Sequence, residues 1–91
     1  MSYLLIYPDS YIKRAKKFLR KHPEIYKQYQ KTLELLELDP YHPSLRLHHL
    51  SGRLKSLSSV SINMSYRITL ELEIRDKEIV LINVGDHDQV Y

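Results

Sequence analysis

No cysteine occurs anywhere in the 91 residues, so the chain has neither a disulfide framework nor thiolates for a zinc site, and nothing in it calls for an oxidising compartment. Glycine is scarce, at two residues; there is no Gly-rich loop to cradle a nucleotide phosphate and no nucleophile elbow around a serine. Long hydrophobic runs are missing too. The apolar run Leu4 to Tyr7 is too short for the core of a signal peptide, and no stretch approaches the ~20 apolar residues that a membrane helix needs. The expectation is a cytoplasmic protein without membrane contact. Asn63-Met64-Ser65 matches the glycosylation acceptor pattern, which without a secretory signal is read as chance. What remains is a chain that is 43% hydrophobic with four prolines, a composition that folds. Its length suits one compact domain over residues 1–91.

The most informative absence is of acid. Between Asp39 and Glu71 there is no Asp or Glu, while Arg46, Arg53, Lys55 and Arg67 fall there with His42, His48 and His49. Residues 1–31 add eight Lys/Arg against Asp9 and Glu24. The net charge of +3 understates this clustering. An acid-free third of a chain suits a polyanion or an acidic protein partner, because neutralising phosphates supplies much of nucleic-acid affinity. For the Lys-rich N-terminal third, a solvated helix face is the plainer reading.

Periodicity then orders the elements. Tyr3 to Tyr7, closed by Pro8, reads as a buried strand. Asp9 and Ser10 can cap a helix with Ile12, Ala15, Phe18 and Leu19 inward and Lys13, Arg14, Lys16, Lys17 and Arg20 in water. Pro23 opens a second helix carrying Ile25, Tyr29, Leu33 and Leu36, and Asp39-Pro40 ends it. Leu45 to Leu50 has strand-like alternation, broken at Ser51-Gly52-Arg53. Leu57 to Ile62 and Tyr66 to Ile74 alternate apolar and polar; Arg75-Asp76-Lys77 turns the chain; Glu78 to Val84 returns to Gly85. The predicted fold is α+β in two layers: an N-terminal strand, a helical hairpin, then three or four mainly antiparallel strands. The sheet face without helices is left open, with Ser59, Ser61 and Arg67 on it and Arg46 and His48 near by.

Five histidines raise the question of a metal. His48 and His49 are adjacent and would point to opposite faces of a strand, and Asp86, His87 and Asp88 have no HExxH or Cys/His spacing behind them, so no metal and no cofactor is expected. Metal-free cleavage of RNA needs only a group to deprotonate the 2′-hydroxyl, a group to protonate the leaving 5′-oxygen, and a cation for the added negative charge. Imidazole works in both directions near neutral pH, and guanidinium stays charged. His48, His87, Arg67 and Tyr91 are the candidates; His49, on the opposite parity, is read as structural.

Three blocks carry a family resemblance: His48-His49-Leu50-Ser51-Gly52-Arg53-Leu54-Lys55, then Ser61-Ile62-Asn63 leading into Tyr66-Arg67-Ile68, and Gly85-Asp86-His87-Asp88-Gln89-Val90-Tyr91. In order and spacing they resemble the RelE/ParE toxin superfamily, above all its YafQ-like branch, and the likeness extends over the whole chain. The resemblance implies a toxin of a type II toxin–antitoxin pair that cleaves messenger RNA, on the ribosome, and is held by an acidic antitoxin. It implies Arg67 at the scissile phosphate, His87 as general acid, His48 as base, Tyr91 against the substrate, and Arg53 and Lys55 on the RNA backbone; Arg46, near the basic open face, is read as a further RNA-binding residue. One departure stands out: Ser59 and Ser61 occupy strand positions where relatives carry lysine or histidine. ParE-like relatives poison DNA gyrase on the same fold, and an inactive, antitoxin-bound repressor component is a third possibility.

Overall fold

The computed structural model of the chain describes residues 2–52 and 56–86. Strand β1 (Leu4–Ile6) leads through Pro8 into helix α1 (Asp9–Lys21). A 3-10 turn at Pro23–Ile25 joins it to α2 (Tyr26–Leu38). Strands β2 (His48–His49), β3 (Ser58–Ser61), β4 (Tyr66–Glu73) and β5 (Glu78–Asp86) follow. They make one five-stranded sheet in the order β1-β5-β4-β3-β2, antiparallel throughout except where β1 runs parallel to β5. The α+β architecture expected from the hydrophobic pattern is the one observed.

Helix α1 carries its buried positions at 11, 15 and 18, the i, i+4, i+7 stripe of an amphipathic helix. Asp9 in its first turn and Arg20 and Lys21 in its last complement the helix dipole. The stripe is rotated from expectation. Tyr11 is 1% exposed and Ile12 lies at the surface, because the Tyr11 hydroxyl finds a partner inside: it hydrogen-bonds the Tyr29 hydroxyl of α2 at 2.6 Å. Burial pushes both phenols' pKa values up, far more so at Tyr11, so both hold their protons above the ordinary phenol value. This pair locks the two helices with no polar atom left unsatisfied.

Beneath the helices, Val60, Ile68, Leu70, Ile79, Leu81 and Val84 form the sheet's half of the core, with Leu36 and Leu45 packed on it. Each fully buried aliphatic side chain contributes about 1.5–3 kcal/mol. Three expected elements come out shorter. β1 is an edge strand that buries only Leu5, with Leu4 exposed. β4 stops at Glu73 and leaves Ile74 outside. The strand expected over Leu45 to Leu50 is a 3-10 turn at Pro43–Leu45, a left-handed Arg46 at φ 50°, and a two-residue strand. Pro43 starts that turn and the His42 ring caps it by accepting from the Ser44 amide at 3.1 Å.

The β3–β4 connection is a built turn. The Asn63 side-chain oxygen accepts from the Ser65 and Tyr66 amides, its Nδ2 donates to Gln28 on α2 at 2.9 Å, and Ser61 donates to the Asn63 carbonyl at 2.7 Å. Asn63 thus acts as a turn former that ties the sheet to the helices. In β5, Leu81 pairs with Leu70 and Asn83 with Thr69, leaving Ile82 as the extra residue of a β-bulge. No helix of the described residues is long and apolar enough to cross a membrane.

Candidate active site

Arg67 stands second in β4, and the alternation that buries Ile68 against the helices sends Arg67 to the opposite face of the sheet. Its partners across the ladder are Ser61 on β3 and Gly85 on β5; Gly85 contributes no side chain of its own. One position further on, His48, Ser59 and Thr69 align across β2, β3 and β4. This row is a polar floor, and it is covered: Ser59 is fully buried and Thr69 is nearly so. The bare face expected from the alternation is therefore occupied, in part by the arginine itself.

The guanidinium is held from several sides. Its Nε donates to the Ser59 hydroxyl at 2.5 Å, and one terminal nitrogen, Nη2, lies 3.1 Å from His48 Nδ1, 3.2 Å from the Arg46 carbonyl and 3.5 Å from the Ser59 carbonyl. The left-handed turn at Arg46 is what aims that carbonyl, at a cost of about 1–2 kcal/mol for a residue with a Cβ. None of these partners is a carboxylate, so among the described residues the cation is positioned without being neutralised. The plainer fate for a strand arginine, pairing with Glu71 or Glu73, is not what the chain does.

The geometry also decides which nitrogen of His48 does what. A guanidinium only donates hydrogen bonds, so His48 Nδ1 accepts and the neutral ring carries its proton on Nε2. With Arg67 in place His48 is thus a donor at Nε2. His49 behaves as its parity requires: it sits beside Ser58, which belongs to the helix-side row, and its Nδ1 is 2.8 Å from the Ser58 hydroxyl.

Charge divides the sheet face in two. Glu71 and Glu73 share Arg67's parity, and Glu73 pairs with Glu78 on β5. Glu71 raises the pKa of Glu73 above the ordinary carboxylate range, first through a hydrogen bond and then through its charge. Among the described residues the acid-free face expected from the sequence is accordingly only the Arg67 end; the other end is anionic. A polyanion approaching this face is steered to Arg67.

The structure brings together Arg67, His48 and Arg46, the last through its carbonyl, with its side chain exposed. Arg53, Lys55, His87 and Tyr91 lie outside the described residues. Sequence reasoning underrated Ser59, whose hydroxyl holds the guanidinium; the signal available was its parity with Arg67 and its pairing opposite His48. Among the described residues no group of three or more His, Cys, Asp or Glu side chains could hold a metal ion.

No family model and no curated protein matches the sequence. Solved structures do match: the fold is that of the RelE/ParE-like toxins. YafQ of E. coli strain BL21(DE3) superposes with a TM-score of 0.79 at 15% identity over 98% of each chain. The E. coli DinJ–YafQ toxin–antitoxin complex gives 0.78 at 17% identity, covering 100% of this chain and 99% of that one. A YoeB/ParE toxin from Agrobacterium tumefaciens gives 0.74 at 13% identity, covering 92% and 98%.

Proposed function

We propose that this chain is the toxin of a type II toxin–antitoxin pair, and that it cleaves messenger RNA by attack of a 2′-hydroxyl on the adjacent phosphate. The observation that carries the proposal is Arg67: a charged guanidinium fixed on a polar floor by Ser59, His48 and the Arg46 carbonyl, with no carboxylate partner among the described residues. A phosphate oxygen is a better acceptor than a neutral imidazole. Substrate would therefore draw Nη2 off His48, leaving Nδ1 able to take the 2′-hydroxyl proton while Arg67 stabilises the charge gathered on the phosphorane. His87 is assigned the proton delivered to the leaving 5′-oxygen, Tyr91 a place against the substrate, and Arg53 and Lys55 contacts to the RNA backbone, on the resemblance of the blocks that contain them. The toxins named above share the fold, one of them in complex with an antitoxin, which supports an antitoxin as partner; that the antitoxin is acidic is proposed from the basic charge of this chain, and the ribosome as the setting from the resemblance of the sequence blocks.

Primer extension on cellular RNA after brief induction tests this reading. New 5′ ends bearing hydroxyls, paired with 2′,3′-cyclic phosphate or 3′-phosphate ends, are expected, and they should persist when a chelator is present under conditions that keep ribosomes intact. Intact messenger RNA with arrested replication would overturn the proposal in favour of gyrase poisoning. Harmless accumulation of the lone protein in growing cells would overturn the toxin assignment.

A further inference from the structure

A polar cavity lies on the other side of β4 from Arg67. The C-terminal half of α1 and the adjoining ends of β4 and β5 enclose about 540 Å³, walled by Arg14, Lys17, Lys21, His22, Tyr66 and Asp86. Among the described residues three cations face one carboxylate there, and Glu24, 3.6 Å from His22 Nδ1, is the other acidic group against the site. Lys21 serves the helix C-terminus, but Lys17 and Arg14 lie one and two turns earlier, where the dipole asks for nothing. Arg14 is held in place by donating from Nη1 to the Ile82 carbonyl at 3.1 Å. That carbonyl belongs to the extra residue of the β5 bulge, so an irregularity of the sheet anchors a cation at the cavity wall.

Aromatic rings stand beside these cations. Phe18, His22 and Tyr66 pack with centroids 4.8 to 5.1 Å apart, and the Tyr66 hydroxyl lies 3.1 Å from His22 Nδ1. A basic cleft with adjoining rings is the combination that holds single-stranded nucleic acid, the cations tracking phosphates and the rings accepting bases; His22 and Tyr66 are the half-buried rings that can do so, Phe18 itself belonging to the core. The volume falls in the range of small-ligand sites.

We propose that this cavity binds a phosphate of single-stranded RNA, as a contact additional to Arg67. Tyr66 and Arg67 are consecutive in β4 and project to opposite faces, so a strand passing over that end of the sheet meets both. The inference rests on the nuclease reading for the identity of the polyanion; phosphate recognition itself comes from the cavity's charge.

The test uses the full chain with a 2′-O-methyl RNA oligonucleotide, which offers no hydroxyl to attack. Affinity is followed against salt, and the His22 ring is followed by NMR. Binding should shift the His22 resonances, and Lys17→Gln with Lys21→Gln should flatten the log–log salt dependence by roughly 0.7 per lysine removed. Both lysines are surface residues, so the variant's melting temperature should match the parent's. An unchanged salt slope and affinity in a folded double variant would overturn the inference. So would inorganic phosphate or a free mononucleotide binding as tightly as the oligonucleotide, or an acidic peptide shifting His22 where the oligonucleotide does not. Failure here combined with loss of RNA cleavage in Arg67→Ala would leave the nuclease proposal standing; cleavage that survives Arg67→Ala would instead sink that proposal, whatever this cavity binds.

Discussion

The two ends of the sheet's polar face treat their charges in opposite ways. At one end Arg67 is tied to neutral acceptors that hold it still and leave its charge intact. At the other, Glu71, Glu73 and Glu78 crowd together, and the strain shows as a raised pKa at Glu73. The first arrangement spends backbone geometry on one cation; the second tolerates repulsion at an exposed edge. Positional precision is therefore concentrated where phosphate chemistry would need it, and the acidic end contributes only a field that turns a polyanion away.

The sharpest way to break this contrast is Arg67→Ala. If the guanidinium stabilises charge that develops in the transition state, cleavage should fall by about 100- to 1,000-fold, as for the loss of one such donor. Stability should fall only by what the lost hydrogen bond to the buried Ser59 hydroxyl costs, about 1 kcal/mol, because no apolar packing is lost. Single-turnover RNA cleavage and thermal melts, run on the same preparation, check both halves.

A purely structural hydrogen bond sets the scale for comparison. Tyr11→Phe leaves the buried Tyr29 hydroxyl without its partner and should cost about 1–2 kcal/mol by denaturant unfolding, with cleavage per folded molecule unchanged. The same pair predicts an alkaline limit. Both phenols have raised pKa values in the folded state, so their contribution is complete below the unfolded value near ~10 and is lost as pH climbs above it. Unfolding midpoints between neutrality and strongly alkaline pH would record the decline.

Ser59→Ala should show the mixed signature: stability down by about 1 kcal/mol, and cleavage reduced by less than in Arg67→Ala, because the cation remains but loses its anchor. A Ser59→Ala enzyme as crippled as Arg67→Ala would mean that placement matters more than charge. The smallest effect belongs to the acidic end. Glu73 binds its proton more tightly in the folded state, so stability is highest below the unfolded carboxylate value near ~4.3 and is lost as pH rises through the folded value. Glu73→Gln should remove that loss, leaving the variant slightly more stable than the parent at neutral pH and indistinguishable from it in acid.

Some of this was legible beforehand because the physics is local. The strict alternation of Tyr66 to Leu72 marked the central strand, the face of Arg67 and the opposite parities of His48 and His49. Other features depend on distant partners and leave no local trace. Ile12 outranks Tyr11 on any hydrophobic scale, yet Tyr11 is the buried residue because Tyr29 waits 18 positions away. Nothing around Arg46 announces a left-handed residue, since its reason is an arginine 21 positions later. The apolar run from Ile79 to Val84 hides an extra residue, because every position in it except Asn83 suits a core strand.

That extra residue has a consequence for the chain as an object to be edited. Ile79 and Leu81 are buried at odd positions, while Val84 is buried at an even one; Ile82 is the beat that shifts β5 from one count to the other. Most single-residue deletions within a strand turn every later side chain to the wrong face. Removing Ile82 would instead close the ladder into strict alternation, with Val84 still inward and Gly85 still beside Arg67. The cost would fall on the carbonyl that Arg14 grips. β5 is thus a strand whose two stretches are kept in phase by a removable spacer, and its deletion separates the framework of the sheet from the basic wall built on it.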